Sequence, residues 1–138
     1  MNKLVESIKR HEGFRDRIYL DSLGKPTCGY GHHLWVGSRV PIEASEAFFK
    51  QDLADAISDY ARILPSLRKR LNPVRARIVV EMIFNMNLAK VQQFRRMWEA
   101  IQDGDYEEAS RQMMDSMWAQ QVGYRAEELS EIMKNGVD

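Results

Sequence analysis

The spacing of apolar residues changes twice along the chain. Over the first twelve residues, Leu4, Val5 and Ile8 recur at helical intervals, which predicts a short amphipathic helix. Gly13 follows at the position where a helix terminator is expected. Glu12 is therefore predicted to lie in the last turn of this helix.

Residues 17–36 lose the helical period. The segments RIYLD and TCGYGHHLW are short and contain aromatic and β-branched residues, and SLGKP between them supplies a glycine and a proline for a turn. This pattern predicts a small antiparallel sheet. Gly29 and Gly31, inside the second segment, indicate bends or a close approach of the backbone to another group.

The helical period returns after residue 41 and continues to the end. It predicts a long helix over 42–64, a core helix that begins at the N-cap Asn72 and Pro73, and helices at about 89–102, 106–120 and 124–134. The fold class is α+β, in a single domain over residues 1–138. We expect a sheet lobe at about 13–42, a connecting helix at about 42–64, and a helical lobe at about 65–138 that includes helix 1–12. Two lobes joined by a helix leave a cleft, where ligands commonly bind.

Composition and charge exclude several classes. The 138 residues carry a formal net charge of zero, which does not point to a polyanionic partner. The stretch from Arg68 to Arg96 nevertheless holds eight basic residues and one acid, Glu81. It is either a set of solvated helix faces or a surface for an anionic polymer. Without a helix-turn-helix spacing, we expect no nucleic acid as a partner.

Cysteine and histidine content indicates neither a disulfide nor a metal. Cys28 is the single cysteine, so no internal disulfide forms, and we expect it to be a small core residue. His32 and His33 lack a cysteine cluster or the HExxH spacing of a zinc site, so we predict no metal and no cofactor. The sequence has no apolar run of roughly 20 residues and no apolar segment near its start, so we expect neither membrane insertion nor a secretion signal.

Glu12, Asp21 and Thr27 are the candidate chemical groups. The negative end of a helix dipole, together with partial burial, favours a protonated Glu12, which suits a general acid. Asp21 borders the turn and should be ionised, so the two carboxyls would suit an acid/base pair. Taken singly, Glu12 is better explained as a surface glutamate, Asp21 as a turn aspartate and Thr27 as an ordinary strand threonine.

The order of the three residues carries more information. Eight residues separate Glu12 from Asp21 and five separate Asp21 from Thr27, within HEGFRDRIYLDSLGKPTCGYGHHL. This arrangement resembles the phage lysozymes of T-even coliphage type, the muramidases of glycoside hydrolase family 24. The likeness extends over about residues 3–130, including EAFFKQDLADAI, PVRARIVVEMIFNM and the later helices.

The resemblance implies a lysozyme-like fold and a role for each of the three residues. Glu12 would protonate the glycosidic oxygen, Asp21 would activate the attacking water, and Thr27 would help to hold that water. The bond cut would be the one between N-acetylmuramic acid and N-acetylglucosamine in peptidoglycan, with inversion. Inversion requires carboxyl groups roughly 6.5–9.5 Å apart.

The resemblance also implies supporting residues. Leu34, Phe84 and Asn85 match positions that line the saccharide cleft, although Phe84 is equally consistent with plain core. Arg125 matches an arginine that pairs with the catalytic glutamate, and otherwise is a solvated helix residue. His32 and Asp52 match a structural ion pair.

Three features depart from the family pattern. The connection WVGSRVPIEA is short, which predicts a smaller sheet lobe. The chain ends soon after Arg125, so a closing helix is expected to be missing. Met97 and Gln112 stand where the family is expected to contact glycan with a serine or glutamine.

The leading functional hypothesis is a monomeric endolysin. It would stay in the cytoplasm of the host bacterium until a holin-type partner released it to the cell wall. Two alternatives remain: a virion-associated or secreted muramidase module of a larger protein, and a non-catalytic cell-wall-binding module on the same fold.

Overall fold

The computed structural model describes residues 1–138, which form nine helices and one small sheet. The α+β class predicted from the sequence is confirmed. The chain divides into two compact units, Met1–Ala44 and Ser45–Asp138. Helix α1 belongs to the first unit, which differs from the expected grouping of residues 1–12 with the helical lobe, because the last residue of α1 lies against the sheet hairpin.

The first unit contains α1 (Asn2–Glu12) and strands β1 (Arg15–Leu20), β2 (Pro26–Gly29) and β3 (His32–His33). The strands form an antiparallel sheet in the order β1-β2-β3. The second predicted segment, TCGYGHHLW, is two strands rather than one. Gly29 and Gly31 both have positive φ, at 60° and 74°, so the chain reverses around Tyr30.

The second unit holds the helical core, and α2 (Ile42–Tyr60) leads into it. Helix α4 (Pro73–Met86) is the central element, as its apolar run predicts, and Ile78, Val79, Met82 and Ile83 are buried. The remaining helices are α3 (Pro65–Arg68), α5 (Leu88–Gln92), α6 (Arg95–Gln102), α7 (Tyr106–Met114), α8 (Met117–Val122) and α9 (Tyr124–Asn135).

The long connecting helix is shorter than predicted. It ends at Tyr60 instead of residue 64, and Pro65 begins α3, which was not predicted. Proline is favoured at the first position of a helix because its φ is already helical and its missing amide would be unpaired there. Pro65 therefore starts a new helix, and the four residues 61–64 separate it from the end of α2.

Two predicted helices are each broken into two. In a continuous helix the amide of Arg95 would donate to the carbonyl of Val91. Instead, the indole Nε1 of buried Trp98 donates to that oxygen at 2.9 Å, and α5 ends at Gln92. Likewise, the hydroxyl of Ser116 donates to the carbonyl of Met113 at 2.7 Å, and α7 ends at Met114. In both places a side chain donates to a backbone carbonyl near the point where the helix ends, and the Val91 carbonyl also accepts from the amide of Phe94 at 3.1 Å.

Two further observations concern single features. Cys28 is only partly buried, so it is less enclosed than a core residue. None of the helices combines the length and the apolar character that crossing a bilayer would require.

We expect Asn72→Ala to destabilise the fold. Asn72 caps α4, because its side-chain oxygen accepts from the amide of Arg75 at 2.8 Å, and its Nδ2 donates to the carbonyl of Gly136 at 2.9 Å. Loss of a cap costs about 1 kcal/mol and loss of a second hydrogen bond about as much again. Urea denaturation should show a fall of about 1–2 kcal/mol in the free energy of unfolding.

Gln51→Ala is the matched control, since it also removes an amide but from an exposed helix face, where the side chain bonds only Asp55. We expect this change to stay within about 0.5 kcal/mol. Equal effects of the two substitutions would contradict the role assigned to Asn72.

Candidate active site

Glu12 is the final residue of α1, as predicted. The helix ends at Gly13, which has a φ of 71° and donates its amide to the carbonyl of Lys9. The Glu12 side chain lies against Gly31 in the β2–β3 turn: a Cβ atom on Gly31 would meet Oε2 at 2.5 Å and Cδ at 3.0 Å. Only glycine fits this position without displacing the carboxylate. The partial burial expected for Glu12 is not observed, since the residue is exposed at the end of the helix.

Asp21 follows β1 and closes the β1–β2 turn with its own side chain. Its Oδ1 atom accepts hydrogen bonds from the amides of Leu23 at 2.9 Å and Lys25 at 2.8 Å. Aspartate is favoured in turns because its short side chain can bond the backbone in this way. The sequence was consistent with Asp21 as a turn residue or as a catalytic base. The two turn hydrogen bonds use only Oδ1, so they leave Oδ2 available for the second role.

His33 on β3 is the third partner of Asp21. Its Nε2 atom lies 3.1 Å from Oδ2 of the carboxylate. The pKa of Asp21 is lowered, first by the Lys25 amide and then by the Leu23 amide and His33, against an opposing effect of desolvation. Asp21 is therefore ionised at neutral pH, as the sequence analysis expected.

Thr27 is the one buried residue of the first unit, with 2% of its surface exposed. Its hydroxyl donates to the carbonyl of Lys25 at 2.8 Å, which leaves the oxygen lone pairs free to accept. In the sheet register Thr27 lies opposite Tyr19 on β1 and His33 on β3. Directly opposed residues in an antiparallel sheet share a face, so Thr27 and His33 project to the same side.

The hairpin segment from Gly31 to His33 contacts both carboxylates. Glu12 lies against Gly31 and Asp21 pairs with His33, and these two contact points are two residues apart in the chain. Two residues span at most about 7 Å. Two carboxyl groups with different surroundings, held on one hairpin, form an arrangement suited to acid/base chemistry.

The other predicted site residues lie in both units. Leu34 follows β3 and donates its amide to the carbonyl of Pro26 at 2.9 Å. In the second unit, Phe84 is 39% exposed and packs on Phe49 with ring centroids 5.8 Å apart. The side-chain oxygen of Asn85 accepts from Nε1 of Trp118 at 2.7 Å. Contact of these residues with a saccharide stays a prediction.

A groove of about 550 Å³ lies within the second unit, beside Trp118. Met97 and Gln112, the two residues that depart from the family pattern, both line it, together with Phe94. Met97 is fully buried and offers no polar group, and Gln112 already donates to Glu108 at 2.7 Å. Other polar side chains that line the groove include Arg95, Asp115 and Ser116.

Arg125 makes an ion pair that was not predicted. Its Nη2 atom donates to Oε1 of Glu81 on α4 at 3.3 Å. Glu81 is the single acidic residue between Arg68 and Arg96. This was the feature of the sequence that could have indicated an ion pair between Glu81 and a basic side chain. A pairing of Arg125 with Glu12 stays a prediction.

Two contributors to the site were missed or misinterpreted. From the sequence, His33 was discussed only together with His32, where no metal site was predicted, and the contact of His33 with Asp21 was missed. Its pairing with Asp21 depends on the hairpin register, which the sequence does not specify. Gly31 was identified as a position of close backbone approach, without its partner Glu12.

Comparison with known proteins defines the class. The phage lysozyme family matches residues 9–132. The chain is 28% identical to the pre-baseplate central spike protein Gp5 of Enterobacteria phage T4, over 96% of this chain but 28% of that protein. It is 23% identical to the probable T4-type lysozyme 1 of Dictyostelium discoideum, over 99% and 96% of the two chains. It is 28% identical to an endolysin of Acyrthosiphon pisum secondary endosymbiont phage 1, over 78% and 72%.

The fold and the matches together define a glycoside hydrolase of the lysozyme class. The chain belongs to the phage lysozyme family.

We expect Gly31→Ala to lower glycan hydrolysis. The added Cβ displaces the Glu12 carboxylate, and a misplacement of about 1 Å in a reacting group can cost on the order of 100-fold in rate. Cleavage of peptidoglycan by the purified variant, followed as loss of turbidity, measures the effect.

Gly37→Ala is the control for backbone strain. Gly37 also has a positive φ, 92°, but a Cβ there would meet nothing within 4 Å. Both substitutions should lower stability to a similar degree, and only Gly31→Ala should reduce activity. Equal activity losses would show that strain, and not the position of Glu12, is responsible.

The Asp21 carboxylate should make stability depend on acid pH. Because its pKa is lowered in the folded state, its stabilising contribution is complete above the unfolded-state pKa of about 3.9 and is lost as the pH falls through the lower folded-state value. Asp21→Asn cannot titrate, so its Tm should fall less than that of the wild type between about pH 5 and pH 2. A slope for Asp21→Asn as steep as that of the wild type would contradict this assignment.

Proposed function

We propose that this protein hydrolyses the β-1,4 glycosidic bond between N-acetylmuramic acid and N-acetylglucosamine in bacterial peptidoglycan, with inversion, as a single domain over residues 1–138. The observation that supports it most is the hairpin segment from Gly31 to His33, which lies against Glu12 and pairs with Asp21. The Cα atoms of Gly31 and His33 lie at most about 7 Å apart, so both carboxyls contact one short piece of the hairpin. The proposed inversion requires carboxyl groups roughly 6.5–9.5 Å apart.

In the proposed reaction, Glu12 donates a proton to the glycosidic oxygen as the bond to the anomeric carbon breaks. A water molecule attacks that carbon from the opposite face of the sugar ring, and Asp21 accepts its proton. Thr27 accepts a hydrogen bond from the same water. The water oxygen ends on the anomeric carbon, so the configuration inverts.

The surroundings of the two carboxyls support these roles. The amides of Leu23 and Lys25 stabilise the charged form of Asp21, which keeps it available as a base. Glu12 receives no such donors from its own helix, because it lies at the end where carbonyl groups are unpaired and the dipole is negative. The two carboxyls therefore differ in their surroundings, with backbone donors at Asp21 and none from α1 at Glu12.

For substrate binding, we propose Leu34 in the first unit and Phe84, Asn85 and Arg125 in the second. Trp118 links Asn85 to the groove in the second unit, whose volume of about 550 Å³ is in the range of ligand sites. Bound glycan would be held by apolar contact with the exposed aromatic ring of Phe84 and by hydrogen bonds from Arg125.

The proposed biological role is that of an endolysin, as the relative from the Acyrthosiphon pisum endosymbiont phage is named. A monomer would remain in the cytoplasm of the host until a holin-type partner permeabilised the membrane. It would then reach the cell wall and cause lysis.

A second role is favoured by a different relative. The protein from phage T4 is a central spike protein, and this chain matches only 28% of its length. The corresponding role here would be a muramidase module of a virion component. Sequencing the natural gene separates the two, since coding sequence for further domains favours the virion module.

Glu12→Gln tests the chemistry. Removing the general acid should reduce the clearing of purified Gram-negative peptidoglycan by about 10²- to 10⁴-fold. Glu6→Gln, an exposed residue of the same helix, is the matched control and should clear at the wild-type rate. Equal clearing by Glu12→Gln and the wild type would exclude Glu12 as the acid.

A further inference from the structure

His33 is held against Asp21 by the sheet. Strand β3 pairs with β2 so that His33 lies opposite Thr27, and the imidazole Nε2 reaches Oδ2 of Asp21 at 3.1 Å. The side chain is partly exposed, at 40%, and the carboxylate less so, at 20%. The contact joins residues twelve positions apart through the hairpin register and not through the β1–β2 turn itself.

The bonds to Asp21 leave a single acceptor position. A carboxylate has about four lone-pair sites, two on each oxygen. The amides of Leu23 and Lys25 occupy both sites of Oδ1, and His33 occupies one site of Oδ2. One site on Oδ2 remains to accept a proton from water, and its direction is set by the other three bonds.

Without His33 the reacting oxygen would be unsupported. The two amides hold Oδ1 but place no donor on Oδ2, so this oxygen would be free to shift with the carboxylate and to bind solvent in several directions. A donor from the same sheet face as Thr27 removes that freedom. A reaction is faster when the reacting groups are already held in the reactive geometry, because the entropy cost of ordering them is met before the reaction.

We propose that His33 is a positioning residue of the hydrolytic centre, which orients the free acceptor site of Asp21 toward the attacking water. This inference rests on the proposed function, in which Asp21 is the base. His33 does not itself exchange a proton with substrate or water in this role.

The residues around His33 support a role in positioning Asp21. Asp21, from the loop after β1, is the charged residue that pairs with the ring. The facing residue of β2 is the uncharged Thr27, and the ring of Trp35, beyond β3, is tilted against the imidazole with centroids 6.2 Å apart. His32 alternates to the opposite face of the strand, opposite Cys28.

Three variants test the proposal on soluble, uncross-linked peptidoglycan chains. His33→Leu removes the donor and should lower kcat about tenfold with KM unchanged, because binding groups are untouched. His33→Gln keeps an N–H donor and should restore most of kcat. If His33→Leu does not fold, His33→Asn replaces it, since its amide is too short to reach Oδ2.

The pKa of Asp21, measured by carbon NMR of labelled aspartate, is a readout independent of catalysis. It should rise in His33→Leu but stay below the ordinary aspartate value, because the Lys25 and Leu23 amides remain. His32→Leu is the matched control and should leave the pKa of Asp21 as in the wild type.

The outcomes separate this proposal from the proposed function. A lower kcat in His33→Leu together with a raised pKa of Asp21 supports the positioning role. Wild-type kcat, or a lower kcat with no change in that pKa, overturns it while leaving the proposed function intact. Full activity of both Glu12→Gln and Asp21→Asn overturns the proposed function, and the positioning role with it.

Discussion

The candidate site depends on the hydrogen bonds around the backbone of Lys25. The Lys25 amide donates to Asp21 Oδ1, and its carbonyl accepts from the Asp21 amide and from the Thr27 hydroxyl. The bonds that close the β1–β2 turn are thus the same bonds that orient two of the three candidate catalytic residues. Because the amide is also the main cause of the lowered pKa of Asp21, formation of the turn stabilises the ionised form of the base.

The two compact units are stabilised differently. The buried apolar residues all lie in Ser45–Asp138, around α4 and α9, whereas the first unit buries only Thr27. The first unit therefore relies on hydrogen bonds, glycine turns and the sheet register. A site built on such a scaffold is sensitive to changes in the backbone, because few packing contacts there can compensate for a shift.

Side-chain capture of backbone carbonyls shapes the helical unit. Trp98 ends α5 and Ser116 ends α7, and the second break allows α8 to begin and to direct Trp118 toward Asn85. The Ser116 hydroxyl donates to the carbonyl of Met113 and accepts from the amide of Ala119, so it bonds the end of α7 and the start of α8, and Ser116 and Trp118 both line the groove.

Local patterns in the sequence determined much of this protein. The period of apolar residues, the Asn72 cap, Gly13 and the turn residues indicated the helices, the sheet and the location of Glu12 at a helix end, since these depend on neighbours within one turn of chain. The spacing of Glu12, Asp21 and Thr27 indicated the lysozyme family. Only the tertiary structure decided the pairing of His33 with Asp21, the contact of Glu12 with Gly31, the ion pair of Arg125 with Glu81 and the breaks at Trp98 and Ser116. Most of these contacts join residues distant in the chain, and strand register and helix packing bring them together. The breaks are the exception, since Trp98 and Ser116 reach carbonyls only a turn or two away, and the apolar period does not reveal which carbonyls they take.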